Sequence, residues 1–297
     1  MRRNIWLFCA AALASTAYAQ TWVSGTGSDS NACTRSAPCK TYQHAHDVTA
    51  AFGQITALDA GDFGPVTITK AITIDGAGVA TNFATGASEI TVNAGAGDVV
   101  QLRNLSIHGR NAPTAITYNS GSQLLIENLK VNGFNNDCIA AVVAGSGTAD
   151  MVIKDTSIDN CSSAGVFVSG VGPTLTVEII NSHVHYANYG IYAYSGLITI
   201  SGSTFSSPGY GTSSIGILEN FHNPTLTNQH IMVDNSQFSG YEYAIFAGSG
   251  SVQLSRTTLA NNTIALAVSS GSIISNGNNA FFNNGSNGSF TSTVGLF

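Results

Sequence analysis

The sequence predicts an all-β chain, a single-stranded right-handed parallel β-helix closed at its start by a short helix. Two observations carry the prediction. Between Val100 and Val268 one phrase recurs seven times: an apolar residue, a spacer, a small polar residue, two spacers, an apolar residue. It reads Leu102-x-Asn104-x-x-Ile107, then Ile126-Asn128-Val131, Ile153-Asp155-Ile158, Ile179-Asn181-Val184, Ile200-Gly202-Phe205, Val233-Asn235-Phe238 and Leu254-Arg256-Leu259. The closing positions advance by 24, 27, 26, 21, 33 and 21 residues, the period of a solenoid. Second, each phrase is followed by a small residue and a short apolar strand: Ala115-Ile116, Cys138-Ile139, Gly165-Val166, Gly190-Ile191, Gly216-Ile217, Ala244-Ile245 and Ala265-Leu266. Each coil therefore holds about three short strands whose alternation sends Ile, Val and Leu inward and Ser, Thr and Asn outward. No helical period fits. Stacked coils of this kind are parallel, and parallel crossovers are right-handed in nearly all cases.

Taken in order, residues 1–19 read as a secretory signal: Arg2 and Arg3, an apolar centre from Ile5 to Ala14, and Ala17-Tyr18-Ala19 before Gln20. The apolar run is too short to span a bilayer, and no later segment is long and apolar enough for a membrane helix. The domain boundaries expected are 20–65 for an N-terminal cap, 66–279 for the coils and 280–297 for a C-terminal tail. Thr21 to Gly25 is a first strand. Tyr42, Ala45, Val48 and Ala51/Phe52 recur at helical spacing, so 40–52 reads as an amphipathic helix laid over the first coil, where it covers the open end of the solenoid. His44 and His46 are then polar residues on that helix, and at this spacing they point to different sides, which argues against a metal site. Ile55 to Leu58, Val66 to Thr69 and Ile72 to Ile74 are further strands.

The chain has 297 residues, 9% charged and 43% hydrophobic, with 32 glycines and a formal charge of −6. Without the leader, 8 basic residues face 16 acidic ones, which excludes the basic footprint of a nucleic-acid binder. Cys33 and Cys39 close a short loop and are expected to pair. Cys161 aligns with Phe134 rather than with Cys138, which favours two packed free thiols over a second bond. The longest coil, from 205 to 238, carries its extra residues in 206–214 and 219–229, two Gly-, Pro-, Asn- and Ser-rich stretches that read as loops.

The opening Val23-Ser24-Gly25-Thr26-Gly27-Ser28-Asp29, then Ala37-Pro38-Cys39-Lys40-Thr41, then Val66 to Gly76, with the tail Ser275-Asn276-Gly277-Asn278-Asn279, resembles secreted bacterial right-handed β-helix proteins of the pectate-lyase-like superfamily. The resemblance covers essentially the whole mature chain. It implies the fold and points to polysaccharide chemistry without naming a reaction, while the leader in residues 1–19 implies a secreted or periplasmic location. It also implies that Asn104, Asn128, Asn181, Asn235 and Asn276 form an asparagine ladder at a tight turn, interrupted by Asp155, Gly202 and Arg256, with Arg256 pointing outward.

In that superfamily the sugar usually lies along one strand face. If the second-half strand is that face, its outward column is Thr117, Ala140, Phe167, Tyr192, Leu218, Phe246 and Ala267. Phe167, Tyr192, Leu218 and Phe246 would form an apolar stripe suited to carbohydrate, to a cell-surface partner, or to lying beneath the long loops of the coil from 205 to 238. A calcium-dependent lyase needs clustered carboxylates and a base, and a glycosidase needs two carboxyls at a set separation. The column holds neither, and the acids nearest to it, Asp137, Glu219 and Glu242, are dispersed over coils. The expectation is a non-catalytic binding scaffold with no cofactor and no metal. The alternative is a divergent polysaccharide lyase or glycoside hydrolase served by Glu219 and His222 in the long loops. His183 and His185 flank Val184 and face outward, with Asp159 beside His185, a contact that reads first as an ordinary surface pair.

Overall fold

The computed structural model describes residues 19–82, 88–110, 112–144, 147–170, 174–207, 213–221 and 229–295. The leader through residue 18 and His222 lie outside the described residues. Most coils have three strand positions, here called a, b and c in the order the chain visits them. The a strands, among them Val99–Arg103, Gln123–Glu127, Leu197–Ser201 and Ser251–Ser255, join a twelve-stranded parallel sheet. The b strands (Lys130–Phe134, Thr204–Ser206, Gln237–Ser239) and the c strands (Thr114–Ser120, Ile215–Glu219, Tyr243–Ala247) belong to one fifteen-stranded assembly. They are joined because Ser157–Val168 and His183–Ala193 run through the b and c positions without a break.

The repeated phrase is an a strand, a turn and a b strand. Its closing apolar residues pair directly from coil to coil: Ile107 with Val131, Val131 with Ile158, Ile158 with Val184, Val184 with Phe205, Phe205 with Phe238, Phe238 with Leu259. All are buried. Phe205 and Phe238 stack face to face at 4.7 Å. Like side chains on successive coils fill the interior as continuous columns, the cross-strand pairing that stabilises any sheet.

The a-to-b turn is made by a single left-handed residue. Asn104, Asn128, Asp155, Asn181, Gly202, Asn235 and Arg256 have φ between 46° and 58°. Asn and Gly tolerate this region best. The side chains also bridge coils: Asn104 donates to Asp75 (2.9 Å), Asn128 to Asn104 (2.8 Å) and Asn181 to Asp155 (2.6 Å). Arg256 points outward and pairs with Asp234. In the last coil the left-handed residue is Gly277 (φ 83°), not Asn276. Leu254 pairs with Ser275, so Asn276 stands opposite Ser255 and accepts from Gln253.

Just after this turn lies a buried column of hydroxyls: Thr156, Ser182, Ser203, Ser236 and Thr257. The oxygen of Ser182 accepts from Thr156 N–H, that of Ser203 from Ser182 N–H and that of Ser236 from Ser203 N–H, at 3.1–3.2 Å. Each hydroxyl in turn donates to the carbonyl two residues back. The corner could not otherwise bury these amides at acceptable cost.

The helix is shorter than its apolar spacing suggests. It spans Tyr42–Val48, capped by Thr41, whose oxygen accepts from His44 N–H. Tyr42, Ala45 and His46 form its buried face, and His46 accepts from Thr69 N–H. Val48 and Phe52 are exposed. The winding also exceeds the expected limits of the coils. Gln20–Val23 and Gly53–Ala57 already belong to the a sheet, while Ala280–Phe282 and Ser292–Thr293 extend the b and a positions past Asn279. Among the described residues no helix is long and apolar enough to cross a membrane.

Cys33 and Cys39 are disulfide-bonded, with Cα atoms 4.6 Å apart. Cys138 and Cys161 are bonded as well, Cα to Cα 5.5 Å, which corrects the expectation of free thiols. Cys161 does lie opposite Phe134. The strand ends at Phe134 and resumes only at Ile139, however, and both cysteines are buried on successive coils. A linear alignment of coils does not register this convergence.

Candidate carbohydrate-binding face

The c strands stack in the register read from the sequence. Thr117 pairs with Ala140, Ala140 with Phe167, Phe167 with Tyr192, Tyr192 with Leu218, Leu218 with Phe246 and Phe246 with Ala267. Phe167, Tyr192, Leu218 and Phe246 are all part-exposed. A second outward column, missed in the sequence, runs beside them: Tyr189, Ile215, Tyr243 and Ile264. Tyr194 adds a third position. Tyr192 makes ring contacts with Phe167 (5.6 Å), Tyr189 (4.9 Å) and Tyr194 (4.6 Å), and Tyr243 meets Phe246 edge-on at 5.8 Å. The Tyr192 and Tyr194 hydroxyls share a hydrogen bond. Burial pushes the Tyr192 hydroxyl up to about 12, and the bond to Tyr194 acts in the same direction, so it stays neutral.

The local backbone explains why residues three apart share a face. Between Tyr189 and Tyr192, both Gly190 and Ile191 point inward. A Cβ at Gly190 would lie 2.5 Å from the carbonyl oxygen of Gly216, and one at Gly216 would lie 2.4 Å from that of Ala244. Glycine lets successive coils approach at this kink. Strict alternation breaks here, and Tyr189 turns outward. The signal was present as Tyr at both 189 and 192 around a glycine.

Glu219 is not part of this face. It occupies the inward column with Ala193 and Ala247 and is fully buried. Its carboxylate accepts from the amides of Phe221 (2.7 Å), Ser249 (3.2 Å) and Gly250 (2.8 Å), a set of charge-assisted bonds that fixes the strand end. Asp137 is likewise nearly buried and accepts from Ala164 N–H at 3.0 Å. Of the three acids nearest to the column, two are therefore held by backbone amides.

On the adjoining b face, Asp159 is in register with His185, whose Nδ1 is 3.6 Å from its carboxylate. Ser157 donates to the same carboxylate at 2.7 Å, and His183 lies 2.5 Å from the Thr204 hydroxyl. His185 also packs on Tyr186 at 4.0 Å. Tyr186 is a left-handed residue (φ 52°), so the face turns a corner between this cluster and Tyr189. Near the capping helix, Cys33, Cys39 and His44 bring ligand atoms within 4.8 Å of one another, but the two sulfurs are joined to each other.

Residues 53–205 match the family described as right handed beta helix region. No match is found among curated proteins. Among solved structures, the chain is similar to pectate lyase Pel9A (TM-score 0.66, 13% identity, 93% of this chain and 78% of that one). It is also similar to an alginate lyase from Paenibacillus sp. str. FPU-7 (TM-score 0.65, 13% identity, 91% and 99%). A rhamnogalacturonan lyase matches with a TM-score of 0.56 at 12% identity, over 82% and 74%. At these identities the likeness is one of fold. With three parallel strands in most coils and a match over more than half of its length, the chain belongs to the family of right-handed parallel β-helix proteins.

Proposed function

We propose that this protein is an exported scaffold that binds polysaccharide along the outward c face, without cleaving it. The reading rests on one observation: two adjacent apolar and aromatic columns, Phe167–Tyr192–Leu218–Phe246 and Tyr189–Ile215–Tyr243–Ile264, held in fixed register on a rigid sheet. Aromatic rings offer flat apolar area at low entropic cost, with tyrosine hydroxyls as neutral hydrogen-bonding groups. The similar solved structures are named as lyases of polysaccharides, which supports a carbohydrate ligand. Both columns are free of carboxylates and cations, which favours binding over cleavage. The basic, apolar and small-residue order of residues 1–19 supports export.

A divergent lyase is the second reading. The His185–Asp159 pair beside the aromatic face favours it, since imidazole and carboxylate together can move a proton. A glycan array on the mature protein, run beside Tyr192→Ala, tests the binding reading. We expect binding that the substitution weakens at least tenfold. Binding indifferent to it would remove this face from the account. Release of unsaturated sugars by the native protein, lost in His185→Ala, would instead establish the lyase.

A further inference from the structure

We propose that the polymer on the c face is neutral, a chain of uncharged sugars without uronate, sulfate or phosphate groups. The inference rests on the carbohydrate reading of this face and specifies its ligand. It follows from where the charges are. From Asp155 to Ser255 the chain contains no lysine or arginine, while it contains Asp155, Asp159, Glu178, Glu219, Asp234 and Glu242. This is the stretch that supplies nearly the whole face, from Phe167 to Phe246.

The two cations that bound that stretch, Lys154 and Arg256, are engaged elsewhere, and Lys130 lies on a b strand opposite Ser157, off this face. Lys154 pairs with Glu127 and Asp155, Arg256 with Asp234, and Arg103 with Asp75. A polyuronate presents one carboxylate per sugar. Binding it on a face with no fixed cation requires bridging metal ions, because nothing there offsets the desolvation of its carboxylates. What the face offers instead is neutral. The rings of Phe167, Tyr189, Tyr192, Tyr243 and Phe246 suit the apolar C–H faces of pyranose rings. The hydroxyls of Tyr192 and Tyr194 and the amide of Asn220, which is hydrogen-bonded to Tyr192, suit sugar hydroxyls. Three coil steps of about 4.8 Å make the stripe about 14 Å long, enough for a short run of sugars laid along the solenoid axis.

The test compares polymers of the two classes on the native mature protein. Affinity electrophoresis and calorimetry would be run at about pH 8, where an ordinary imidazole is uncharged. The neutral arm contains a β-glucan, a galactomannan and a starch-type α-glucan. The acidic arm contains polygalacturonate and alginate, each with calcium and with a chelator. We expect a neutral polymer to bind at least tenfold more tightly than either acid, with an affinity that hardly changes as salt is raised, since no ion pairs are screened. If an acidic polymer binds equally or better, with or without calcium, and Tyr192→Ala abolishes it, the carbohydrate reading stands and neutrality is overturned. If neither class binds, the carbohydrate reading itself falls, and this inference with it.

Discussion

Glu89 shows what one residue can cost this fold. It is fully buried in an inward column, and among the described residues neither carboxylate oxygen has a hydrogen-bond partner. Asp62, whose own Oδ1 is buried without a partner, adds like charge nearby. Burial first, and Asp62 second, raise the Glu89 carboxyl to about 7. A carboxyl with a raised folded value binds its proton more tightly in the folded state. Its contribution is therefore complete below the unfolded value of about 4.5 and is lost as pH rises to about 7. Glu89→Gln cannot ionise. In urea titrations we expect the native protein to lose about 1–3 kcal/mol relative to Glu89→Gln between these two pH values. A constant difference across the range would show that Glu89 is already paired. Glu219 makes the opposite case. It is equally buried but satisfied by three amides, which is why a residue read from sequence as a loop acid proves to be a structural anchor.

At the scale of elements, the corner after each a strand carries two superposed ladders. The outer asparagine ladder was legible because it recurs at fixed phase with a residue type suited to left-handed backbone. The inner hydroxyl ladder was equally present in sequence, as Asp155-Thr156, Asn181-Ser182, Gly202-Ser203, Asn235-Ser236 and Arg256-Thr257. Alternation sends polar residues outward, however, and the turn breaks alternation, so these hydroxyls point inward. Ser203→Ala removes the acceptor of Ser182 N–H in a buried site, and we expect a loss of about 1–3 kcal/mol in equilibrium unfolding. Ser201→Ala, two residues away on the part-exposed side, should change stability by less than about 0.5 kcal/mol. Equal effects would mean that the inner ladder contributes nothing specific. The same break in alternation, at Gly190, hid Tyr189 and its column.

For the whole molecule, register, handedness and the Phe167-to-Phe246 stripe were legible, because a repeat forces each coil onto its neighbour and one phase determines every column. The lengths of the helix and of the winding were not. Val48 and Phe52 keep a helical spacing without being buried, and the last coil has lost the apolar phrase that marks the others. The pairing of Cys138 with Cys161 depends on a break between strands that pattern alone does not encode. The solenoid so built presents one aromatic face whose every position is set by its neighbours, and its use in binding carbohydrate is the central claim. Calorimetry with a glycan identified on the array tests that claim most directly, comparing Tyr192→Ala and Tyr192→Phe with Tyr186→Asn. Tyr186 is exposed across the corner, and Asn tolerates its left-handed backbone. We predict that Tyr192→Ala weakens binding at least tenfold, about 1.4 kcal/mol, while Tyr192→Phe and Tyr186→Asn stay within about threefold of the native protein. Undiminished binding by a folded Tyr192→Ala, or an equal loss in Tyr186→Asn, would contradict it.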